Sequence, residues 1–245
     1  MTKISPDDFA AIYKRFNASV SKFDCGKKCS PLNGGSPVCC STQDAVPVVH
    51  KAEFKLLKGR TDLWKRFKPY DHPTRKIVEE LHHGCCAIEC KGVAHCERDN
   101  RTIACRAFPF FPYMTREKKL LGLSVYWGFT DRCWMISNMQ IVEREFVREF
   151  VDTFEKIFAK DKTEFDTYVR FSADMRRQFS RMKKTIPVLS AEDGRLLIVT
   201  PKTGAVREGR KGEHPKFAPF TSDAAYARAI RAEGGTAPAE GLRPI

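Results

Sequence analysis

Nine of the ten cysteines fall into two groups whose spacing could bind a metal. The first is Cys25-Gly-Lys-Lys-Cys29 with Cys39-Cys40, and the second is Cys85-Cys86-Ala-Ile-Glu-Cys90 with Cys96 and Cys105; Cys133 stands apart. Thiolates three or four residues apart on a tight loop can converge on one cation, because a turn brings alternate side chains to the same side. One such pair is half a site. Two groups on separate loops, brought together by intervening helices, would complete a four-thiolate site with thiols to spare. A tetrahedral zinc and an iron–sulfur cube each need four ligands. Two separate sites or one polynuclear site would use the surplus. The candidate metal ligands are therefore Cys25, Cys29, Cys39, Cys40, Cys85, Cys86, Cys90, Cys96 and Cys105, and an iron–sulfur cluster is favoured over zinc.

Two plainer readings of these thiols weigh less. Reduced cysteines that merely pack as small hydrophobes should sit among apolar residues, whereas these stand beside Gly, Lys, Asp, Asn and Pro. Structural disulfides belong to oxidising compartments. The opening residues show no basic region followed by an apolar run, and no stretch approaches the roughly 18 apolar residues of a spanning helix. We therefore expect a cytoplasmic protein with no membrane partner.

A thiolate cluster carries net negative charge, which nearby guanidinium groups would stabilise while tuning its potential. Arg101 and Arg106 are the candidates, Arg106 being next to Cys105. His82, His83 and His95 adjoin the second group and could serve as a fourth ligand or a proton donor. No phosphate-binding glycine loop, no Gly-x-Ser-x-Gly elbow and no dinucleotide fingerprint is present. Position 32 is Leu where a CxxxCxxC radical motif would need a third cysteine.

The elements that must position these residues divide the chain into two chemically different halves, since all ten cysteines lie at or before position 133. With 245 residues and 42% hydrophobic side chains, the chain can bury one generous core or two modest ones. Ser5-Pro6-Asp7-Asp8 predicts a helix start, with Phe9, Ile12, Tyr13 and Phe16 at helical spacing to about Asn17. The cysteines of 25–41 and 85–112 are expected on irregular loops, with helices over His50–Leu57 and Thr74–His83 between them and Asp71-His72 in a turn. A strand is expected within Leu120–Phe129. The clearest periodicity predicts two amphipathic helices, about 141–158 and 163–183, followed by a hairpin over Ile186–Thr200 with Asp193-Gly194 in its turn. The expected fold is mainly helical α+β: a cysteine-rich, metal-organised region (1–135), a helical pair plus β-hairpin packed on it (136–206), and a flexible C-terminal tail (207–245).

The first loop ending in Cys39-Cys40, then Cys90, Cys96 and Cys105-Arg106-Ala-Phe108-Pro109, resembles the bacterial CxxCxxCC cysteine-cluster family, the YkgJ-like zinc- or iron-chelating proteins. The resemblance covers residues 25–112. It implies metal-ligand roles for Cys25, Cys29, Cys39, Cys40, Cys90, Cys96 and Cys105. The Leu32–Val38 stretch lengthens the first motif, and Cys85, Cys86 and Cys133 lie outside the pattern.

The formal charge of +13 calls for anionic partners. The leading expectation is a metal-binding protein with a redox or metal-dependent protein- or peptide-modifying role and an acidic protein or redox partner. The alternative is a zinc-stabilised nucleic-acid-binding protein, using the basic-aromatic segments Lys65–Tyr70 and Met175–Lys184. Met175, Phe179 and Met182 stand at core spacing, which weakens the second segment.

Overall fold

The computed structural model describes residues 3–243. The ends of the expected 1–135 and 207–245 segments, Met1, Thr2, Pro244 and Ile245, lie outside the described residues. In chain order the elements are α1 (Pro6–Tyr13), α2 (Cys25–Cys29), β1 (Val48–His50), α3 (Lys51–Lys58), β2 (Trp64–Arg66), α4 (His72–Glu79), β3 (Cys85–Cys90) and α5 (Ile103–Ala107). They continue with β4 (Phe110–Met114), β5 (Leu120–Val125), α6 (Arg144–Lys160), α7 (Lys162–Arg181), β6 (Ile186–Ser190), β7 (Leu196–Val199), β8 (Val206–Glu208) and α8 (Asp223–Ala232). These α+β elements form two compact units, one from the chain up to Asn17 together with Cys39–Phe108, the other from Ala18–Val38 together with the chain from Pro109 onward. The first cysteine group is thereby divided. Cys25 and Cys29 belong to the second unit, Cys39 and Cys40 to the first.

The first unit is built on an antiparallel sheet of order β1-β3-β2. Val49 pairs with Cys86 and His50 with Cys85 on one side of β3, and Trp64 pairs with Cys90 on the other. Helix α1 starts on a reciprocal cap between Ser5 and Asp8 with Pro6 in the first turn. It buries Phe9, Ile12 and Tyr13 and packs on α3. Asp71-His72 is a helix start: Asp71 and Thr74 form the capping box of α4.

The expected irregular loop from Cys85 is corrected over Cys85–Cys90. Residues 85–90 form the central strand, and the interior beside it is aliphatic and aromatic, with Val49, Leu57, Trp64, Ile88 and Ile103 buried. Cysteine packs as a small apolar residue, so Cys85-Cys86-Ala87-Ile88 reads as the continuous apolar run of a strand covered on both faces.

The second unit carries a five-stranded antiparallel meander, β4-β5-β6-β7-β8. Helix α7 packs on β4, where the Met114 amide donates to Ser172 Oγ at 2.9 Å, and α6 packs on α7 through Phe154 and Phe158 against Tyr168. Gly122 allows β5 to meet β6, since a Cβ there would lie 1.9 Å from the Leu189 carbonyl oxygen. The β6–β7 turn holds Gly194 at φ +72°, a conformation that favours glycine. The 207–245 segment, read from composition as a flexible tail, contains α8 and buries Phe220, Tyr226, Ile230 and Leu242. Among the described residues no helix is long and apolar enough to cross a membrane.

Candidate metal centre

No disulfide joins any of the ten cysteines among the described residues. In the first unit three of them, Cys40, Cys96 and Cys105, belong to one electrostatic neighbourhood centred on Arg101, and a fourth, Cys90, joins it through Cys105. Arg101 Nε donates to Cys96 Sγ at 3.0 Å, and the charges of Cys40 and Cys105 also bear on its guanidinium. Each thiol comes from a different backbone element. Cys40 ends the tight turn Val38–Cys40, Cys90 ends β3, Cys96 follows the turn Val93–His95, and Cys105 lies in α5.

The loop carrying Cys96 and Arg101 is fastened from several sides. Trp64, fully buried, donates its indole N–H to the Asn100 carbonyl at 2.8 Å. Thr61 donates to Glu97 Oε1 at 2.9 Å, and Asn100 Nδ2 donates to Glu97 Oε2 at 2.6 Å. The Gly92 amide donates to Cys90 Sγ at 3.4 Å. Thr102 caps α5 by accepting from the Cys105 amide at 3.0 Å.

The four thiols differ in acidity for physical reasons. A hydrogen bond from Cys39 is the main cause that brings the Cys40 thiol down to about 7; burial opposes it, and Arg101 adds to it. Burial is the main cause that pushes Cys105 up to about 12, with Thr102 opposing and Cys40, Cys90 and Glu53 adding. Cys96 is exposed, so this neighbourhood has an inner edge at Cys105 and an outer edge at Cys96. Among the described residues no three cysteine sulfurs lie within 4.8 Å of one another. Bonds of about 2.3 Å to one tetrahedral ion place sulfurs roughly 3.8 Å apart, so binding a single zinc requires side-chain movement.

Arg106 has a different place from the one expected next to a ligand. Successive residues of a helix point about 100° apart, which turns Arg106 away from Cys105. Its guanidinium donates to the Phe16 carbonyl, to Asn17 Oδ1 at 3.0 Å and to the Asp99 carbonyl at 2.7 Å, while Nε donates to the Arg101 carbonyl at 3.1 Å. It also lies over the Tyr13 ring, 4.6 Å from the centroid. It fastens the end of α1 to the loop that carries Arg101.

Glu53, which the sequence did not single out, and Tyr13, expected only on the apolar face of the first helix, complete this surround. Glu53, 3% exposed, accepts from Tyr13 Oη and from the Ile103 amide, each at 2.7 Å. The tyrosine hydroxyl is held protonated far above its usual range, first by burial and then by the Glu53 charge. The available signal was a carboxylate four residues before Leu57 on the buried face of α3.

The other second-group thiols lie on β3. Strand alternation sends Cys85 and Cys86 to opposite faces, so the adjacent pair does not present both sulfurs to one centre. Burial raises the Cys86 thiol, against Arg66 and Lys51. Cys85 Sγ is 3.0 Å from His82 Nε2. His82 Nδ1 accepts from the Gly84 amide at 3.1 Å, so in the neutral ring the proton sits on Nε2 and is donated to the sulfur. His95 and His83 are exposed. In the second unit Cys25 and Cys29 lie one turn apart on α2, which packs on the turn Trp134–Ser137 that follows Cys133.

The basic segments are partly engaged. Lys65 pairs with Glu89 at 3.2 Å, Tyr70 is exposed, and Met175 and Phe179 are buried while Met182 is exposed. Arg176 donates to the Met114 carbonyl at 2.7 Å. Comparisons of the chain with family models, with curated proteins and with solved structures return no match.

Proposed function

We propose that the first unit is a thiolate metal-binding unit in which Cys40, Cys90, Cys96 and Cys105 hold an iron–sulfur cluster in preference to zinc. The observation that carries this reading is the sharing of one guanidinium, Arg101, by the thiols of Cys96, Cys40 and Cys105, with Cys90 close enough to Cys105 to act on it. The donor set fits the group: four thiols, one already acidic, with an N–H donor on Cys90 and a cation on Cys96. N–H donors and a nearby cation lower the charge density on sulfur and set a cluster's potential, which favours the cluster. When bound, the cluster would supply electron transfer. Cys40 offers a thiolate near neutral pH, Arg101 compensates its charge, Arg106 and Trp64 fix the loop, and exposed Cys96 leaves one edge open to a redox partner. The resemblance to the YkgJ-like family includes these four among the seven ligands it implies. The net charge of +13 suits an acidic redox partner.

Absorption and electron paramagnetic resonance spectra of the protein purified without oxygen test this reading. A visible chromophore bleached by dithionite, and lost in Cys90→Ser and Cys105→Ser, is the expected result. A chromophore that survives both substitutions contradicts the assignment.

A further inference from the structure

We infer that Cys25, Cys29 and Cys133 form a second thiolate site, within the second unit, that takes a single thiophilic cation of the zinc class. Cys25 and Cys29 stand at positions i and i+4 of α2, hence on one helical face within side-chain reach of each other. Cys133 begins the turn Trp134–Ser137, which packs directly on α2. Cys133 is buried, and Cys29 and Cys25 are the thiols whose charges reach its sulfur.

Two buried polar atoms, on residues that adjoin Cys29 and Cys133, support a ligand. The Asn33 amide is held by the backbone on both sides of the trio, Nδ2 donating to the Cys29 carbonyl at 2.7 Å and to the Arg132 carbonyl at 3.3 Å. Two carbonyl acceptors fix which end of the amide is nitrogen. Its other end, Oδ1, is buried with no hydrogen-bond partner, as is the indole Nε1 of fully buried Trp134, next to Cys133. An orphaned oxygen suits a cation, and an orphaned N–H suits a thiolate sulfur; buried groups of this kind are seldom left unpaired. The α2 turn is also fixed from behind. Buried Lys28 donates to the Gly241 carbonyl at 2.9 Å and pairs with Glu240 at 3.1 Å, and Tyr226 Oη donates to the Lys28 carbonyl at 2.7 Å. Cys29 and Cys133 are both buried; as in the first unit, no three cysteine sulfurs lie within 4.8 Å of one another among the described residues, so the trio closes on the ion by side-chain rotation. Each thiol that binds gives its proton to solvent.

The test uses the whole protein, stripped of metal under reducing conditions and titrated with Zn²⁺. The rate of alkylation of Cys25, the most accessible of the three, is followed by mass spectrometry in the wild type, in Cys133→Ser and in the double variant Cys96→Ser/Cys105→Ser. Zinc is expected to slow Cys25 alkylation about tenfold or more in the wild type and in the double variant, because a bound thiolate is no longer a free nucleophile. In Cys133→Ser the protection is expected to be lost, with an unchanged far-ultraviolet circular dichroism spectrum. Cys29→Ala provides the same test if Cys133→Ser fails to fold. Undiminished alkylation of Cys25 in zinc-treated wild type overturns the proposal. So does protection that disappears with Cys96 and Cys105 instead of Cys133. Neither result touches the chromophore assigned to the first unit.

Discussion

The Arg101 guanidinium donates from Nε to the Cys96 sulfur at 3.0 Å, joining the most exposed thiol of the first unit to the cation whose field also reaches Cys40 and Cys105. This pair makes the thiol neighbourhood a charged site: the positive group that a bare thiolate needs is built into the loop that presents it.

Cys40 should therefore be more reactive than Cys105 in metal-free protein near neutral pH. Its alkylation rate should rise with a midpoint near pH 7, following the acidity set by Cys39, against burial, and by Arg101. Cys39→Ala should move the midpoint upward, and Arg101→Ala should move it by less. Mass-spectrometric alkylation profiles across pH 5.5 to 9 check this ordering; equal midpoints in all three proteins would contradict it.

Cys105 makes the opposite contribution. Its folded-state thiol lies at about 12, above the ordinary value near 9, so the folded state keeps a proton that the unfolded chain gives up. The stability this provides is fully present below pH 9 and is lost as the pH rises through 12. One such proton corresponds to a slope of about 1.4 kcal/mol per pH unit in that window. Urea unfolding of metal-free protein between pH 8.5 and 11 should show a shallower decline for Cys105→Ala than for the wild type. Proton release on metal binding should make the apparent affinity rise with pH.

Glu53 ties α3 to α1 and α5 through Tyr13 and Ile103. Glu53→Ala leaves a hydroxyl and an amide buried without an acceptor and should destabilise the first unit by about 3 kcal/mol. Tyr13→Phe removes the hydroxyl's bond to Glu53 and should cost about 1 to 2 kcal/mol. Chemical denaturation measures both, and a loss below about 0.5 kcal/mol for Glu53→Ala would show that the carboxylate has no structural role.

Arg106 makes four hydrogen bonds with a planar fork that lysine cannot reproduce. Arg106→Lys and Arg106→Ala should lower metal affinity and stability together, while leaving the number of metal-binding thiols unchanged. Metal competition assays on both variants check this; full recovery with lysine would reduce the residue's role to its charge.

The parts of the fold that were legible in the sequence are those whose signal is local. The periodicity of Phe146, Phe150, Phe154 and Ile157 foretold α6, and Asp193-Gly194 foretold the β6–β7 turn, because a helix face and a short turn are written in neighbouring residues. Strand β3 was missed since its cysteines were read as ligands on a loop; counted as apolar residues they spell a buried strand. The turn residues Asn33-Gly34-Gly35-Ser36-Pro37 marked all of 25–41 as loop and hid the single helical turn Cys25–Cys29, which Asp24 caps by accepting from the Gly26 and Lys27 amides. The roles of Glu53 and Arg106 depend on partners up to 90 positions away in the chain, which spacing cannot disclose.

Metal and acid-labile sulfide analysis of protein purified without oxygen tests the central claim most directly, with wild type compared to the variant carrying Ser at positions 40, 90, 96 and 105. Iron with matching sulfide in the wild type, absent from a folded quadruple variant, is the expected result. A folded wild type that holds no metal and whose thiols all react freely would contradict the account, as would iron and sulfide retained in full by the quadruple variant.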